Sequence, residues 1–183
     1  ASEECLGQIL GERRKEVVLA TKFGMGANRG EPNGASRRYL MSAVEASLRR
    51  LNTDWIDLYQ LHTPDPRTPI EETLRALDDL VRQGKIRYFG CSNLAAWCVI
   101  DAQWTSRLLG INGFICCQDE YSLLVRGIER DLIPAMQAHG LGLLPYFPLA
   151  SGLLTGKYKR NVAMPERARL SYAEKLANQF LTD

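Results

Sequence analysis

Asp54-Trp55-Ile56-Asp57-Leu58-Tyr59-Gln60-Leu61-His62-Thr63-Pro64-Asp65-Pro66 is the stretch from which the rest of the chain can be read. Ile56, Leu58, Tyr59 and Leu61, with Trp55 at the start, describe a short buried strand, too short for a helix. The strand delivers His62 at its last position. Pro64 and Pro66 then stop any continuation, because neither can donate to a ladder. A titratable group where an apolar strand gives way to a loop occupies a usual position for chemistry in an α/β protein. The competing reading, a core histidine satisfied by one backbone bond, weighs equally on this strand alone. The other strands decide.

Upstream, Ser2 reads as the N-cap of a helix over 2–13, with Glu3 and Glu4 in its first turn and Leu6, Ile9 and Leu10 on one face. Val17–Lys22 reads as a strand ending in a cation. Gly24-Met25-Gly26 followed by Gly30 looks at first like a dinucleotide fingerprint. The spacing is wrong, however, and Asn28 to Gly34 read as a turn-rich loop that opens no helix. Ser36 caps a helix striped by Leu40, Val44, Leu48 and Leu51. Downstream of His62, Thr68-Pro69 introduces a helix striped by Ile70, Leu74, Leu77, Leu80 and Val81, with Gly84 at its end. Ile86–Ser92 reads as a strand, and Ser92-Asn93 as caps for the helix carrying Trp97, Ile100, Trp104 and Leu108. Phe114–Gln118 is a fourth strand, a helix near 128–139 stops at Gly140, and Leu141–Phe147 is a fifth strand ended by Pro148. Residues 149–169 read as a loop and 171–182 as a helix.

The 183 residues are 45% hydrophobic and 24% charged, with 23 basic and 21 acidic side chains interleaved to a net charge of +2. That balance suits one globular domain, here a single domain over 1–183, and gives no reason to expect nucleic acid or a membrane as a partner. No apolar run approaches a membrane span, and the N-terminal residues lack a signal-peptide pattern. Cys5, Cys91, Cys98, Cys116 and Cys117 are odd in number without a C-x-x-C pair. They read as reduced, mostly buried thiols of a cytoplasmic protein, not as a metal site.

Strand ends fall near 22, 62, 92, 118 and 147. Spacings of roughly thirty residues fit βα units with right-handed crossovers and a parallel sheet. Two architectures compete. A (β/α)8 barrel takes eight strands and about 250 residues, so length alone favours an open doubly wound sheet.

Lys22, His62, Ser92-Asn93, Gln118 and Tyr146 stand one group per strand end, at the edge where parallel α/β proteins bind ligands. Each has a plain structural explanation, as a solvated cation, a helix cap, a loop hydrogen-bonder or a core aromatic. Together they are harder to dismiss. Lysine and histidine converging on one point polarise or protonate a carbonyl oxygen. Serine, asparagine and glutamine suit a carboxamide, and a tyrosine ring offers a flat face. Those groups together describe a seat for a nicotinamide poised for hydride transfer. Ser151-Gly152-Leu153-Leu154-Thr155-Gly156-Lys157 adds small residues and a cation for phosphates, although it lacks P-loop spacing.

Val18-Leu19-Ala20-Thr21-Lys22-Phe23-Gly24, Asp57-Leu58-Tyr59-Gln60-Leu61-His62, Gly90-Cys91-Ser92-Asn93, Gln118-Asp119-Glu120-Tyr121-Ser122-Leu123 and Tyr146-Phe147-Pro148-Leu149-Ala150-Ser151-Gly152 resemble the aldo-keto reductase superfamily. Bacterial members allied to the potassium channel β-subunits are the nearest in pattern. The resemblance runs over nearly the whole chain and implies a (β/α)8 TIM barrel, of which about five of eight βα units are present, against the argument from length. It implies NAD(P)(H)-dependent reduction of aldehydes or ketones, with NADP(H) ahead of NAD(H). Lys22 and His62 match catalytic positions, and Ser92, Asn93 and Gln118 match the carboxamide site. Tyr146 matches the aromatic that stacks on the ring. Phe147, Pro148, Leu149, Ala150, Ser151, Gly152 and Lys157 match the loop at the pyrophosphate and ribose, and Arg167 a further cofactor clamp.

The resemblance implies that the first strands and the last βα unit are lacking, the latter with the helix start that binds the adenosine 2′-phosphate, expected to follow Asp183. The family's D-T-A-x-x-Y-G motif, with its aspartate and acid tyrosine, is absent from these residues, and the resemblance places it ahead of Ala1. Residues 1–183 alone are therefore expected to be inactive, with open sheet edges that a second copy could cover. An alternative is a cofactor-binding regulatory subunit acting through a protein partner. His62 leans toward an enzyme with a small carbonyl substrate, because the channel-subunit branch carries asparagine there.

Overall fold

Helix and strand alternate along the chain in the computed structural model, which describes residues 2–25, 34–159 and 162–181. In order they are α1 (Ser2–Leu10), β1 (Ala20–Phe23), α2 (Arg37–Leu51), β2 (Ile56–Leu61), α3 (Ile70–Arg82), β3 (Ile86–Ser92), α4 (Ala96–Leu109), β4 (Cys116–Glu120), α5 (Leu132–His139) and β5 (Gly142–Tyr146). Two short helices, α6 (Arg169–Tyr172) and α7 (Glu174–Phe180), follow a 3-10 segment at Ala150–Thr155. The glycine-rich loop read over 26–33 lies outside the described residues.

All four strand pairs are parallel, and the sheet order is β1-β2-β3-β4-β5. That order discriminates between the two architectures. A doubly wound sheet reverses its strand order at a switch point, which puts helices on both faces. Here every right-handed crossover steps the same way, so every helix lands on one face. Neighbouring helices accordingly pack in sequence, α1 on α2, α2 on α3, α3 on α4 and α4 on α5. This is an arc of a (β/α)8 barrel, as the family resemblance implies and against the argument from length.

Between sheet and helices lies one core. Leu40, Val44, Leu48 and Leu51 of α2 and Leu74, Leu77 and Leu80 of α3 pack there with Phe23, Tyr59, Leu61, Phe89, Cys91 and Cys117 from the strands. Each fully buried aliphatic side chain contributes about 1.5–3 kcal/mol. Ser36 caps α2 as read, its Oγ accepting the Tyr39 N–H at 3.4 Å. At the opposite end of the strands, buried Arg14 ties the chain after α1 to β2. Its guanidinium donates to Thr53 Oγ1 (3.0 Å) and the Trp55 carbonyl (2.7 Å), pairs with Asp57 (2.9 Å) and stacks 4.5 Å over the Trp55 ring. All five cysteines are free, and Cys91, Cys116 and Cys117 are buried.

The structure revises several readings. Ser2 is the first helical residue of α1, not a flanking cap. The first strand starts at Ala20 rather than Val17, and β4 runs on to Glu120, so Gln118 lies within the strand. Helix α4 begins after Ala95, so Ser92 and Asn93 do not cap it. Trp97, Trp104 and Leu108 face outward, 72%, 54% and 84% exposed, while Val99, Ala102, Gln103 and Ser106 are buried. Helix α4 is apolar on both sides, and its smaller side chains are the ones that are buried.

Candidate active site

Strand register shows why the five candidate positions meet. Side chains alternate between faces along a strand, and registered partners on parallel strands share a face. Phe23, Leu61, Cys91 and Cys117 are aligned in one row, and it points into the core under the helices. Lys22 aligns with Gln60, and Ser92 with Gln118, which in turn aligns with Leu144. Tyr146 lies two residues beyond Leu144 and His62 two beyond Gln60. By parity Lys22, His62, Ser92, Gln118 and Tyr146 therefore all lie on the face away from the helices, at the C-terminal ends of five consecutive strands.

Lys22 and His62 are half-buried and electrostatically coupled. Burial pushes the Lys22 ammonium pKa down. Burial, and secondarily the Lys22 charge, push the His62 imidazole below its usual value, which favours a neutral ring near pH 7. The His62 main chain is fixed from both sides: its N–H donates to the Phe23 carbonyl (2.8 Å) and its carbonyl accepts the Asn93 amide (3.0 Å). A neutral imidazole held beside a lysine can donate to a carbonyl oxygen while the cation stabilises charge developing there.

Asn93 is a hub that the sequence did not reveal. Its backbone takes the left-handed conformation at φ 60°, uncommon for a residue with a side chain. Its Nδ2 donates to the His62 carbonyl and to Ser92 Oγ (both 3.0 Å), and its Oδ1 accepts the Tyr146 hydroxyl (2.8 Å). Ser92 in turn donates to the Gln118 carbonyl at 2.7 Å. The side chains of Ser92 and Asn93 thus cross-link the ends of β2, β3, β4 and β5. Burial, and then the nearby carboxylates of Glu120 and Asp119, raise the Tyr146 pKa, so its hydroxyl keeps its proton.

Beyond β5 the backbone folds back on itself. Phe147, Ala150 and Ser151 have positive φ (52°, 46° and 55°), as does Gly152 at 95°. The Ala150 N–H closes onto the Phe147 carbonyl at 2.8 Å, and the Gly152 N–H onto Leu149 at 2.9 Å. Successive left-handed residues form the kind of concavity in which backbone N–H groups hold anions. The Lys157 ammonium lies close to the loop: a Cβ at Gly152 would sit 2.8 Å from its Nζ, and the lysine would have to shift away. Pro148 and Leu149 are exposed, Ala150 and Ser151 are buried, and Lys157 is exposed. Arg167 is exposed in the segment before α6. Two residues on, Arg169 stacks on Phe147 at 4.8 Å. Among the described residues no group of three His, Cys, Asp or Glu could hold a metal, and no helix is long and apolar enough to cross a membrane.

The aldo/keto reductase family model matches residues 1–181. The chain belongs to the aldo/keto reductase family. It is 38% identical over its whole length to a probable voltage-gated potassium channel subunit beta of Oryza sativa, covering 57% of that protein. It is 40% identical over 90% of its length to an uncharacterized oxidoreductase of Bacillus subtilis, covering 52% of it. It is 46% identical over 66% of its length to an aldo-keto reductase of Metarhizium robertsii. The chain therefore spans about half the length of the first two relatives and 33% of the third.

The residues present fit the nicotinamide cofactor that the family implies. Among the described residues the Gln118 carboxamide has no hydrogen-bond partner, which leaves it available to another amide. Asn93 keeps a single acceptor lone pair. Tyr146 is pinned by its hydroxyl with its ring at the mouth, and the left-handed loop with Lys157 suits a pyrophosphate.

Proposed function

We propose that the full-length protein is an NAD(P)(H)-dependent oxidoreductase that reduces aldehydes or ketones, NADP(H) being preferred, in the cytoplasm. The observation that carries this reading is the shared face and shared edge of Lys22, His62, Ser92, Gln118 and Tyr146 on consecutive strands. A reduced nicotinamide bound there supplies the hydride. Gln118 orients the carboxamide, and Tyr146 offers its ring as a stacking face. The loop 147–152 with Lys157 holds phosphate, and Arg167 adds a cation. His62 donates to the substrate oxygen, and the Lys22 charge favours the developing alkoxide and lowers the pKa of an acid tyrosine beside it. That tyrosine and its aspartate are proposed to stand ahead of Ala1, as in the family motif.

A second reading, a cofactor-binding regulatory subunit with a protein partner, is favoured by the identity to channel β-subunits. Steady oxidation of NADPH or NADH by the full-length protein across a panel of aldehydes supports the reductase. Tight cofactor binding without turnover on any of them supports the regulatory subunit.

A further inference from the structure

Adjacent residues of β4 point in opposite directions: Gln118 faces the mouth, and Asp119 faces away from it, on the side where Cys117 enters the core. Asp119 lines a cleft of about 590 Å³ between the N-terminal ends of α4 and α5. Its side chain is buried, the residue being only 6% exposed. Two other carboxylates with buried side chains among the described residues, Asp78 and Asp65, are fully engaged. Asp78 accepts the Asn112 N–H (3.1 Å), the Asn112 amide (2.7 Å) and Arg82 (2.7 Å). The Asp65 side chain accepts the N–H groups of Ala35 (2.8 Å) and Arg67 (3.0 Å) and the Thr68 hydroxyl (2.8 Å).

Asp119 breaks that pattern. The Asn93 N–H faces its carboxyl, but Oδ2 is buried with no hydrogen-bond donor among the described residues. Among the described residues no lysine, arginine or histidine lines the cleft, in a chain with 23 basic residues. A buried carboxylate with one oxygen left without a donor costs free energy, so its retention calls for an explanation. The remaining walls supply one. Leu94, Ile128 and Leu132 are apolar, and Trp97 stands at the rim with most of its ring in solvent. The volume is that of a small-molecule pocket. An anion at the floor, an indole face at the rim and apolar walls between them match one ligand chemistry. Asp131, also at the rim, is exposed and lies 3.8 Å from Arg130, so it adds little.

We propose that this cleft is a second ligand site, separate from the barrel mouth, that binds a small organic ammonium through Asp119 and Trp97. The ligand's N–H groups supply donors to the Asp119 carboxyl. Its charge sits against the Trp97 ring, and its apolar body covers Ile128 and Leu132.

The test is calorimetric titration of the full-length protein, with NADP(H) present, using 2-phenylethylamine and its neutral counterpart 2-phenylethanol. The amine is expected to bind at least about tenfold more tightly than the alcohol. Asp119→Asn should reduce the amine to the level of the alcohol, and Trp97→Leu should weaken it about fivefold. Trp97 is exposed on the helix surface, so its replacement leaves folding intact if Asp119→Asn does not. Equal binding of amine and alcohol overturns the proposal, as does full affinity in either variant. Displacement of the amine by a carbonyl substrate, which would place it in the mouth, also overturns it.

Discussion

Asp119→Asn should make the protein more stable at neutral pH, and the size of the gain can be worked out. Burial pushes the Asp119 carboxyl from its ordinary 3.8 up to about 6, with the Asn93 N–H pulling slightly the other way. The folded state therefore holds this proton more tightly than the unfolded chain does. That contribution to stability is fully present below about pH 4 and is lost as pH rises through about 6. A shift of about two units corresponds to roughly 3 kcal/mol at most. Asparagine has nearly the same shape, keeps an oxygen for the Asn93 N–H and carries no charge to desolvate. Urea unfolding of the full-length protein should thus show the variant ahead by about 1–3 kcal/mol at pH 8, with the advantage gone at pH 4. A variant that is less stable at pH 8 would refute the reasoning. It would mean that the carboxylate has a structural partner, for instance as a charge holding the N-terminus of α4.

Other consequences are as direct. Arg14→Met removes a buried cation that pairs with Asp57 at 2.9 Å, so unfolding free energy should fall by about 3–5 kcal/mol, read by the same urea titration. Leu77→Ala opens a cavity where a fully buried side chain fills the core between α3 and the sheet, costing about 2–5 kcal/mol. Gly152→Ala places a Cβ 2.8 Å from Lys157 Nζ at a backbone φ of 95°, so cofactor affinity measured by fluorescence should drop at least about tenfold.

Much of this architecture is legible in residue patterns because period-two alternation and strand ends are local signals. Lys22, His62 and Tyr146 could be read as strand-end groups without any tertiary information, whereas Gln118 lies two residues inside the end of β4. The barrel order could not. Five βα units fit either architecture, and only the pairing of each strand with its sequence neighbour shows that the helices share one face. Helix α4 misleads for a different reason. Trp97, Trp104 and Leu108 are its largest apolar residues, yet Val99 and Ala102 are the ones that are buried, so side-chain size alone does not tell which face of an apolar helix turns inward. The Asn93 hub depends on a left-handed backbone and on partners 31 and 53 residues away, which no spacing rule reveals. Asp119 was hidden inside Gln118-Asp119-Glu120, where three polar residues in a row read as the end of a strand. Its parity with buried Cys117 was the signal that could have found it.

The central claim is that the mouth of this sheet carries out carbonyl reduction, and Lys22→Met in the full-length protein tests it most directly. The substitution keeps length and apolar contact while removing the charge beside His62. Aldehyde-dependent NADPH oxidation should fall at least about a hundredfold while cofactor affinity changes by less than about threefold. Turnover that survives the substitution unchanged would contradict it.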